Sequence, residues 1–382
     1  MTEQNPETLP QNAEGEPISR LEIVGKLRSH LTDIMPDAET LWQQSSPSSV
    51  HFRGHLTIDS THAYSMLRER FATLGCTPLL RSQSGYDVIV AIRHLFRAQR
   101  TRPIGNIILL LLTLVTTTLT GAFLEQGEAL QQNPMIFFER PSLLLTGIPA
   151  ALTIMGILGI HELAHYFVAR KHGLQSSLPY FIPSPFGIGT FGAIIRIQTP
   201  WENSKALFDV GMAGPVAGFL VALPLFFVGL LISPAMPPIP EGVPLGSPLL
   251  LRWIEELVYL IRGIPQDHEI YVNAMTFAAW FGLVVTGFNL LPVGQLDGGH
   301  VAYAVLGRWA RLVGIAVLVL LALLGALVWQ GWYVWAGLIL FSGWRHPAPL
   351  NTLAPLGKTR TIVGVAILVL LILLFTPAPF PI

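Results

Sequence analysis

The pattern of apolar and polar positions changes abruptly near Thr101. Ahead of it the two kinds of residue interleave on short periods. Residues 50–56 alternate as a strand, and 60–74 carry a helical pattern opened by Asp59 or Ser60 and stopped at Gly75. Residues 77–80 and 86–93 read as two strands joined by a turn through Ser84 and Gly85. The expectation is a strand–helix–strand–strand unit within a small soluble α+β domain over 21–100, behind a disordered tail over 1–20. His51, His55 and His62 fall in this stretch without a cysteine or acid cluster, so they read as surface histidines.

Beyond Thr101 the apolar runs approach the ~20 residues a helix needs to cross a bilayer. They cover 104–124, 143–169, 206–232, 270–291, 312–328, 331–341 and 361–375, the sixth being too short to cross without its flanks. The predicted fold class is an all-α polytopic membrane protein of about six or seven transmembrane helices, with a membrane-associated β-hairpin and the soluble α+β domain at its N-terminal side. Residues 249–263 differ, because Arg252, Glu255, Glu256 and Arg262 stand among leucines and a tryptophan, as in an amphipathic helix lying on a surface.

Composition agrees. The 382 residues are 51% hydrophobic and 12% charged, roughly half the usual charge of a soluble chain. Zero formal net charge argues against a nucleic-acid partner held through phosphates, and the single cysteine, Cys76, excludes an intramolecular disulfide or a multi-cysteine metal site. Residues 1–20 are polar and acidic rather than basic then apolar, so they do not read as a secretory signal.

Lysine and arginine placement gives orientation. Arg81, Arg93, Arg97, Arg100 and Arg102 precede the first span. Arg170, Lys171, Arg196 and Lys205 follow the second, Arg308 and Arg311 the fourth, and Arg345, Lys358 and Arg360 the sixth. The intervening loops carry Glu125, Glu128, Glu139, Glu241, Glu255, Glu256, Asp267 and Glu269 instead. The N-terminal domain is therefore expected in the cytoplasm, or in a plastid stroma.

Inside the second span lies Gly159-Ile160-His161-Glu162-Leu163-Ala164-His165. Residues i and i+4 share a helix face, so the two imidazoles can grip one zinc ion with Glu162 beside it. Ionisable side chains within an apolar helix are costly and default to a functional reading. Zinc needs a third protein ligand and an open position for water. Lys171 stands where a third histidine six residues on would fall, leaving Glu202, Asp209 and Asp297; Asp297 is favoured, with the other two as rivals. His161 and His165 come near the inner end of their span, and the span ahead of Asp297 descends to the same depth. Pro292, Gly294, Gly298 and Gly299 would loosen backbone there, which membranes tolerate only against protein or water.

Gly214 and Gly218 form a small-xxx-small face for close helix packing. Residues 180–198, rich in proline and glycine and ending in an alternating Ala193–Ile197 run, read as a hairpin dipping toward the site, with an edge able to hold an extended peptide.

With HELAH in one span and Asn289…Pro292…Leu296-Asp297-Gly298-Gly299 at the end of another, the sequence resembles the site-2 protease family of intramembrane zinc metalloproteases. Gly214-Pro215-x-x-Gly218 resembles that family's intervening glycine motif. Gly189-Thr190-Phe191-Gly192-Ala193 and Lys205–Asp209 are most similar to its plastid and cyanobacterial branch, the ethylene-dependent gravitropism-deficient and yellow-green proteins. The resemblance covers about residues 100–310. It implies Zn2+ held by His161, His165 and Asp297, Glu162 as general base, and Asn289 supporting the tetrahedral intermediate. It also implies single-span membrane proteins as substrates, a protease core over 101–310 followed by transmembrane helices over 311–382, and a multi-pass location in a plasma or thylakoid-type membrane. The alternatives are a metalloprotease using a downstream Glu as third ligand, a zinc transporter or metal sensor using the same ligands, and an inactive scaffold, against which the intact Glu162 argues.

Overall fold

The computed structural model describes residues 20–46, 48–94, 96, 103–238 and 244–380. Residues 1–19 of the tail expected over 1–20, and Arg97, Arg100, Arg102 and Glu241, lie outside the described residues, while Arg20 opens a helix. The chain forms two compact units. One holds the residues up to Ala98 together with 199–206 and 348–356; the other holds the rest.

The first unit runs α1 (Arg20–Ser29), β1 (Glu39–Thr40), β2 (Ser49–Gly54), α2 (Ser60–Ala72), β3 (Thr77–Gln83) and β4 (Tyr86–Ile92). Its sheet is antiparallel in the order β1-β2-β4-β3. Helix α2 starts where the Asp59 carboxylate accepts from the Thr61 and His62 amides, at 2.9 and 3.3 Å. The β3–β4 turn places Ser84 and Gly85 at φ 52° and 84°, the left-handed pair that matches the twist of a two-residue hairpin. Phe52, Leu67, Phe71, Leu80 and Ile89 fill the core.

Three features of this unit were not anticipated. Helix α1 buries Ile23, Val24 and Leu27, a periodic signal present at 21–31. Residues 350–352 run alongside β3, with Leu80 N–H donating to Leu350 C=O (2.8 Å) and Thr352 N–H to Leu80 C=O (3.1 Å). Asn351, 1% exposed, fastens that strip: its amide donates to Ser60 C=O, its carboxamide oxygen accepts from Leu353 N–H, and its backbone N–H reaches Glu202 C=O. Of the three histidines expected at the surface, His55 is exposed and pairs with Asp37 at 2.9 Å, and His62 is exposed, whereas His51 on β2 is half-buried.

The second unit is mostly helical. After α3 (Ile104–Glu125) come the short α4 (Gly127–Gln132) and α5 (Ile136–Glu139), a 3-10 turn over Pro141–Gly147, and α6 (Ile148–Lys171). The hairpin β5 (Tyr180–Pro183) and β6 (Thr190–Ile194) leads to α7 (Ser204–Ile232). Then follow β7 (Ala235–Met236), α8 (Leu249–Arg262), β8 (Glu269–Ile270), α9 (Ala274–Asn289), α10 (Asp297–Leu306), a 3-10 turn over Gly307–Trp309, α11 (Ala310–Leu327), α12 (Gly331–Ser342) and α13 (Lys358–Leu374). Among the described residues, four helical stretches are long and apolar enough to cross a membrane: Ile104–Glu125, Pro141–Lys171, Ser204–Ile232 and Asp297–Leu327. Ala274–Asn289 and Gly331–Ser342 are apolar but shorter.

The differences from expectation have local causes. The run over 270–291 becomes a helix only from Ala274, because Ile270 pairs with Ala235 in the β7–β8 ladder and Asn273 caps the helix by accepting from Thr276 N–H at 2.8 Å. The apolar run expected from 312 joins α10 through the 3-10 turn, so one helical stretch reaches back to Asp297. Helix α8 ends on Gly263 in the left-handed conformation and buries Leu251 and Val258, while Trp253, Leu257 and Leu260 stay exposed.

Helices α6 and α9 pack closely, aided by Gly282, where a Cβ would meet Ile157 Cδ1 at 2.9 Å. Trp280, Phe226, Leu283 and Trp332 form the buried centre. The hairpin is held by α3: Asn106 Nδ2 donates to Leu178 and Pro179 C=O, both at 2.9 Å. Gly189 (φ 84°) lies so near Thr116 that a Cβ would stand 2.6 Å from its carbonyl oxygen.

Candidate metal centre

His161 and His165 lie one turn apart on α6, and both are buried, at 5% and 6% exposure. Asp297 is the first residue of α10, where free backbone N–H groups favour a negative charge. Helix α10 can begin there because Gly298 and Gly299 fold its first turn onto the preceding loop. A Cβ on Gly298 would collide with Leu290 C=O, and one on Gly299 would stand 2.7 Å from Val293 C=O.

The three side chains converge. His161 Nε2 lies 3.2 Å from Asp297 Oδ2 and His165 Nε2 lies 3.3 Å from Asp297 Oδ1. The two Nε2 atoms are 3.0 Å apart. A tetrahedral zinc ion with bonds of 2.0–2.1 Å sets its ligand atoms about 3.3 Å from one another, so the two nitrogens and the carboxylate oxygen facing each of them have the spacing of ligands on one ion. Among the described residues this is the group of His, Cys, Asp and Glu side chains able to hold a metal ion.

The donor chemistry fits as well. His165 Nδ1 donates to Val210 C=O at 2.7 Å, so in the neutral imidazole Nε2 is the nitrogen left free to take a metal. Glu162, 6% exposed, points its carboxyl beside the two imidazoles, with Oε1 4.0 Å from His161 Nε2. Asn289, half-buried, closes α9.

Helix α7 lies over the imidazoles. A Cβ on Gly214 would collide with His165 Nε2 and stand 2.7 Å from His161 Cδ2; on Gly218 it would meet His161 Nδ1 at 3.2 Å; on Gly211 it would meet His300 Cβ at 2.7 Å. These glycines thus do more than let two helices approach, since the backbone of α7 forms one wall of the metal centre. Sequence reasoning saw the spacing of Gly214 and Gly218, missed Gly211, and had no signal for the Val210 carbonyl, because any residue supplies one.

The two rival carboxylates are engaged elsewhere. Asp209 accepts from Arg360 Nε and Nη2 at 2.7 and 2.8 Å and pairs with His172 Nε2 at 2.9 Å. Glu202 accepts from Arg68 Nη1 at 3.0 Å in the first unit. The threonines that a transport path would recruit use their hydroxyls on backbone carbonyls: Thr113 on Leu109, Thr117 on Thr113, Thr118 on Leu114 and Thr286 on Gly282, at 2.7–2.8 Å.

An apolar helix carrying His-Glu-x-x-His, completed by a carboxylate from a second element, defines a metal centre of the zinc-peptidase kind. Residues 149–327 match Peptidase family M50. The chain is also similar to the probable zinc metalloprotease EGY2, chloroplastic, of Arabidopsis thaliana, at 36% identity over 202 residues, 52% of this chain and 36% of that protein. The probable zinc metalloprotease EGY1, chloroplastic, of Oryza sativa subsp. japonica is 35% identical over 169 residues, 43% of this chain and 29% of the relative. The probable zinc metallopeptidase EGY3, chloroplastic, of Arabidopsis thaliana is 28% identical over 174 residues, 42% of this chain and 30% of the relative. The chain spans about a third of the length of these curated relatives.

Proposed function

We propose that this protein is an intramembrane zinc metalloprotease that hydrolyses peptide bonds within or beside the membrane-spanning segments of other proteins. The observation that carries the reading is the convergence of His161, His165 and Asp297 from two apolar helical stretches, with Glu162 beside them. In this reading His161, His165 and Asp297 hold the metal. Six or seven helices cross a plasma or thylakoid-type membrane as a protease core over 101–310 and a helical extension over 311–382. The domain over 21–100 faces the cytoplasm or stroma.

When bound, zinc supplies a Lewis acid that polarises the scissile carbonyl and acidifies a water molecule. The protein supplies the remainder. Glu162 takes the proton from the attacking water and delivers it to the leaving amide nitrogen. The Asn289 amide donates to the developing oxyanion. His165 keeps its Nδ1 proton on Val210 C=O throughout, so its ring cannot turn. Helix α7 closes one side of the centre.

A peptide bond inside a helix has its carbonyl hydrogen-bonded and shielded, so the substrate must unwind before attack. The β5–β6 hairpin, held by α3, offers an edge to an extended strand. Single-span proteins with helix-weakening residues near the inner end of the span are the substrate class this geometry fits. No observation favours transport.

Glu162→Gln tests the reading. The expected outcome is full zinc content with loss of cleavage of a reconstituted single-span substrate and accumulation of single-span precursors in membranes. Cleavage retained at wild-type rate by Glu162→Gln would remove the base and the mechanism with it.

A further inference from the structure

A second concave site lies behind the metal-bearing turn. A cavity of about 310 Å³ is lined by Arg308, Arg311, Arg345, Trp344, Tyr303 and His346. Its back wall includes Gly294 and Gly299, on either side of Asp297 in the chain. The wall is tied to α10, because His300 Nδ1 and His346 Nε2 lie 2.6 Å apart and Tyr303 stacks on His346 with ring centroids at 4.7 Å.

The charge here is one-sided. Among the described residues none of the three guanidinium groups is paired with a carboxylate. Arg311 and Arg345 lie over the Trp344 ring at 5.4 and 4.6 Å, and Arg308 lies over Trp309 at 5.4 Å. Like charges around a low-dielectric hollow focus positive potential into it.

The surroundings say which anion fits. The arginines sit at the open end of the α11–α12 hairpin, beside helices whose outward residues are apolar: Leu312 is 57% exposed, Trp309 57% and Phe341 93%. Arginine with tryptophan at the foot of apolar helices is the signature of the membrane–water interface. A soluble polyanion would leave that apolar collar wet, whereas a lipid places its phosphate among the guanidiniums and its acyl chains along Leu312 and Phe341.

We propose that this cavity binds the phosphate headgroup of an anionic membrane lipid, bracketed by Arg308, Arg311 and Arg345 and backed by Trp344. The planar guanidiniums take the phosphate oxygens pairwise, and the lipid braces the turn from which Asp297 emerges. The site is separate from the metal centre and does not depend on the protease reading.

The test is native mass spectrometry of the full-length protein in detergent, titrated with phosphatidylglycerol, phosphatidylcholine or inorganic phosphate. The wild type is expected to retain one phosphatidylglycerol and no phosphatidylcholine. The Arg311→Gln/Arg345→Gln double variant should need at least about tenfold more phosphatidylglycerol for the same occupancy. Arg170→Gln, which removes one positive charge at the end of α6, should bind as the wild type does. If the double Gln variant does not fold, Arg311→Lys/Arg345→Lys replaces it; keeping the charge but losing the fork, it should weaken retention several-fold. Equal retention by wild type and the folded variant, or equal weakening by Arg170→Gln, would overturn the site. Inorganic phosphate displacing the lipid at equal concentration would overturn the lipid as its ligand.

Discussion

The backbone of α7 as a wall of the metal centre makes a sharp prediction for Gly214→Ala. The new methyl group would collide with His165 Nε2 and stand 2.5 Å from His165 Cδ2 and 2.7 Å from His161 Cδ2. Ordinary carbon contacts need about 3.5 Å, so either α7 or the imidazoles must give by roughly 1 Å. The imidazoles have little room, because His165 is fixed by Val210 C=O and the facing ligand atoms are 3.0–3.3 Å apart. A metal site tolerates about 0.2 Å of error in its bonds. Overpacking of this kind costs about 1–3 kcal/mol, and paid in the metal-bound state it weakens zinc binding roughly 5- to 150-fold. Gly218→Ala, with its nearest contact at 3.2 Å, should weaken binding less than about tenfold. Gly156→Ala, which meets nothing within 4 Å on the same helix as the histidines, should have no effect. Zinc competition against a chromophoric chelator, on protein purified in detergent, orders the three. Gly214→Ala binding zinc as tightly as the wild type, or Gly156→Ala proving equally damaging, would refute the reasoning.

Three further outcomes follow. Asp297→Asn should lose stoichiometric zinc while Glu202→Gln keeps it, since Glu202 is spent on Arg68; metal analysis of the purified variants decides. Asp209→Asn should lower stability by about 1–2 kcal/mol, as the Arg360 fork and the His172 contact are charge-assisted but partly exposed; thermal unfolding in detergent measures it. In the first unit, the Arg70 fork at 2.6 and 2.7 Å holds the Asp33 carboxyl down at about 2, below its usual 3.8. A lowered folded-state value stabilises at higher pH and is lost as pH falls through it, so protection of 20–46 in hydrogen exchange should exceed that of Asp33→Asn above about pH 4 and converge with it near pH 2.

The candidate metal centre was legible in the sequence because its chemistry is local. Two histidines four apart on an apolar helix, and an aspartate among glycines, are readable without tertiary information, and the structure sets all three within reach of one ion. Element types were legible for the same reason: Asp59 opens α2, and Ser84-Gly85 turns β3 into β4. What escaped reading depends on partners distant in the chain. Residues 350–352 beside β3, Arg360 on Asp209 and Val210 C=O on His165 join segments whose pairing no periodicity encodes. The run over 270–291 misled because hydropathy does not register that Ile270 pairs with Ala235. Gly214 shows the limit most clearly. Its spacing from Gly218 signals close approach, but only the structure identifies the neighbour as the metal-facing edges of two imidazoles.

The most direct measurement is zinc-edge X-ray absorption on the purified full-length protein, with metal content determined on the same sample. The account predicts one zinc per chain, bonded only to nitrogen and oxygen at about 2.0–2.1 Å, with the scattering pattern of two imidazoles and with one imidazole lost in either His161→Ala or His165→Ala. A zinc shell unchanged by both substitutions, or no zinc in folded wild-type protein, would contradict it.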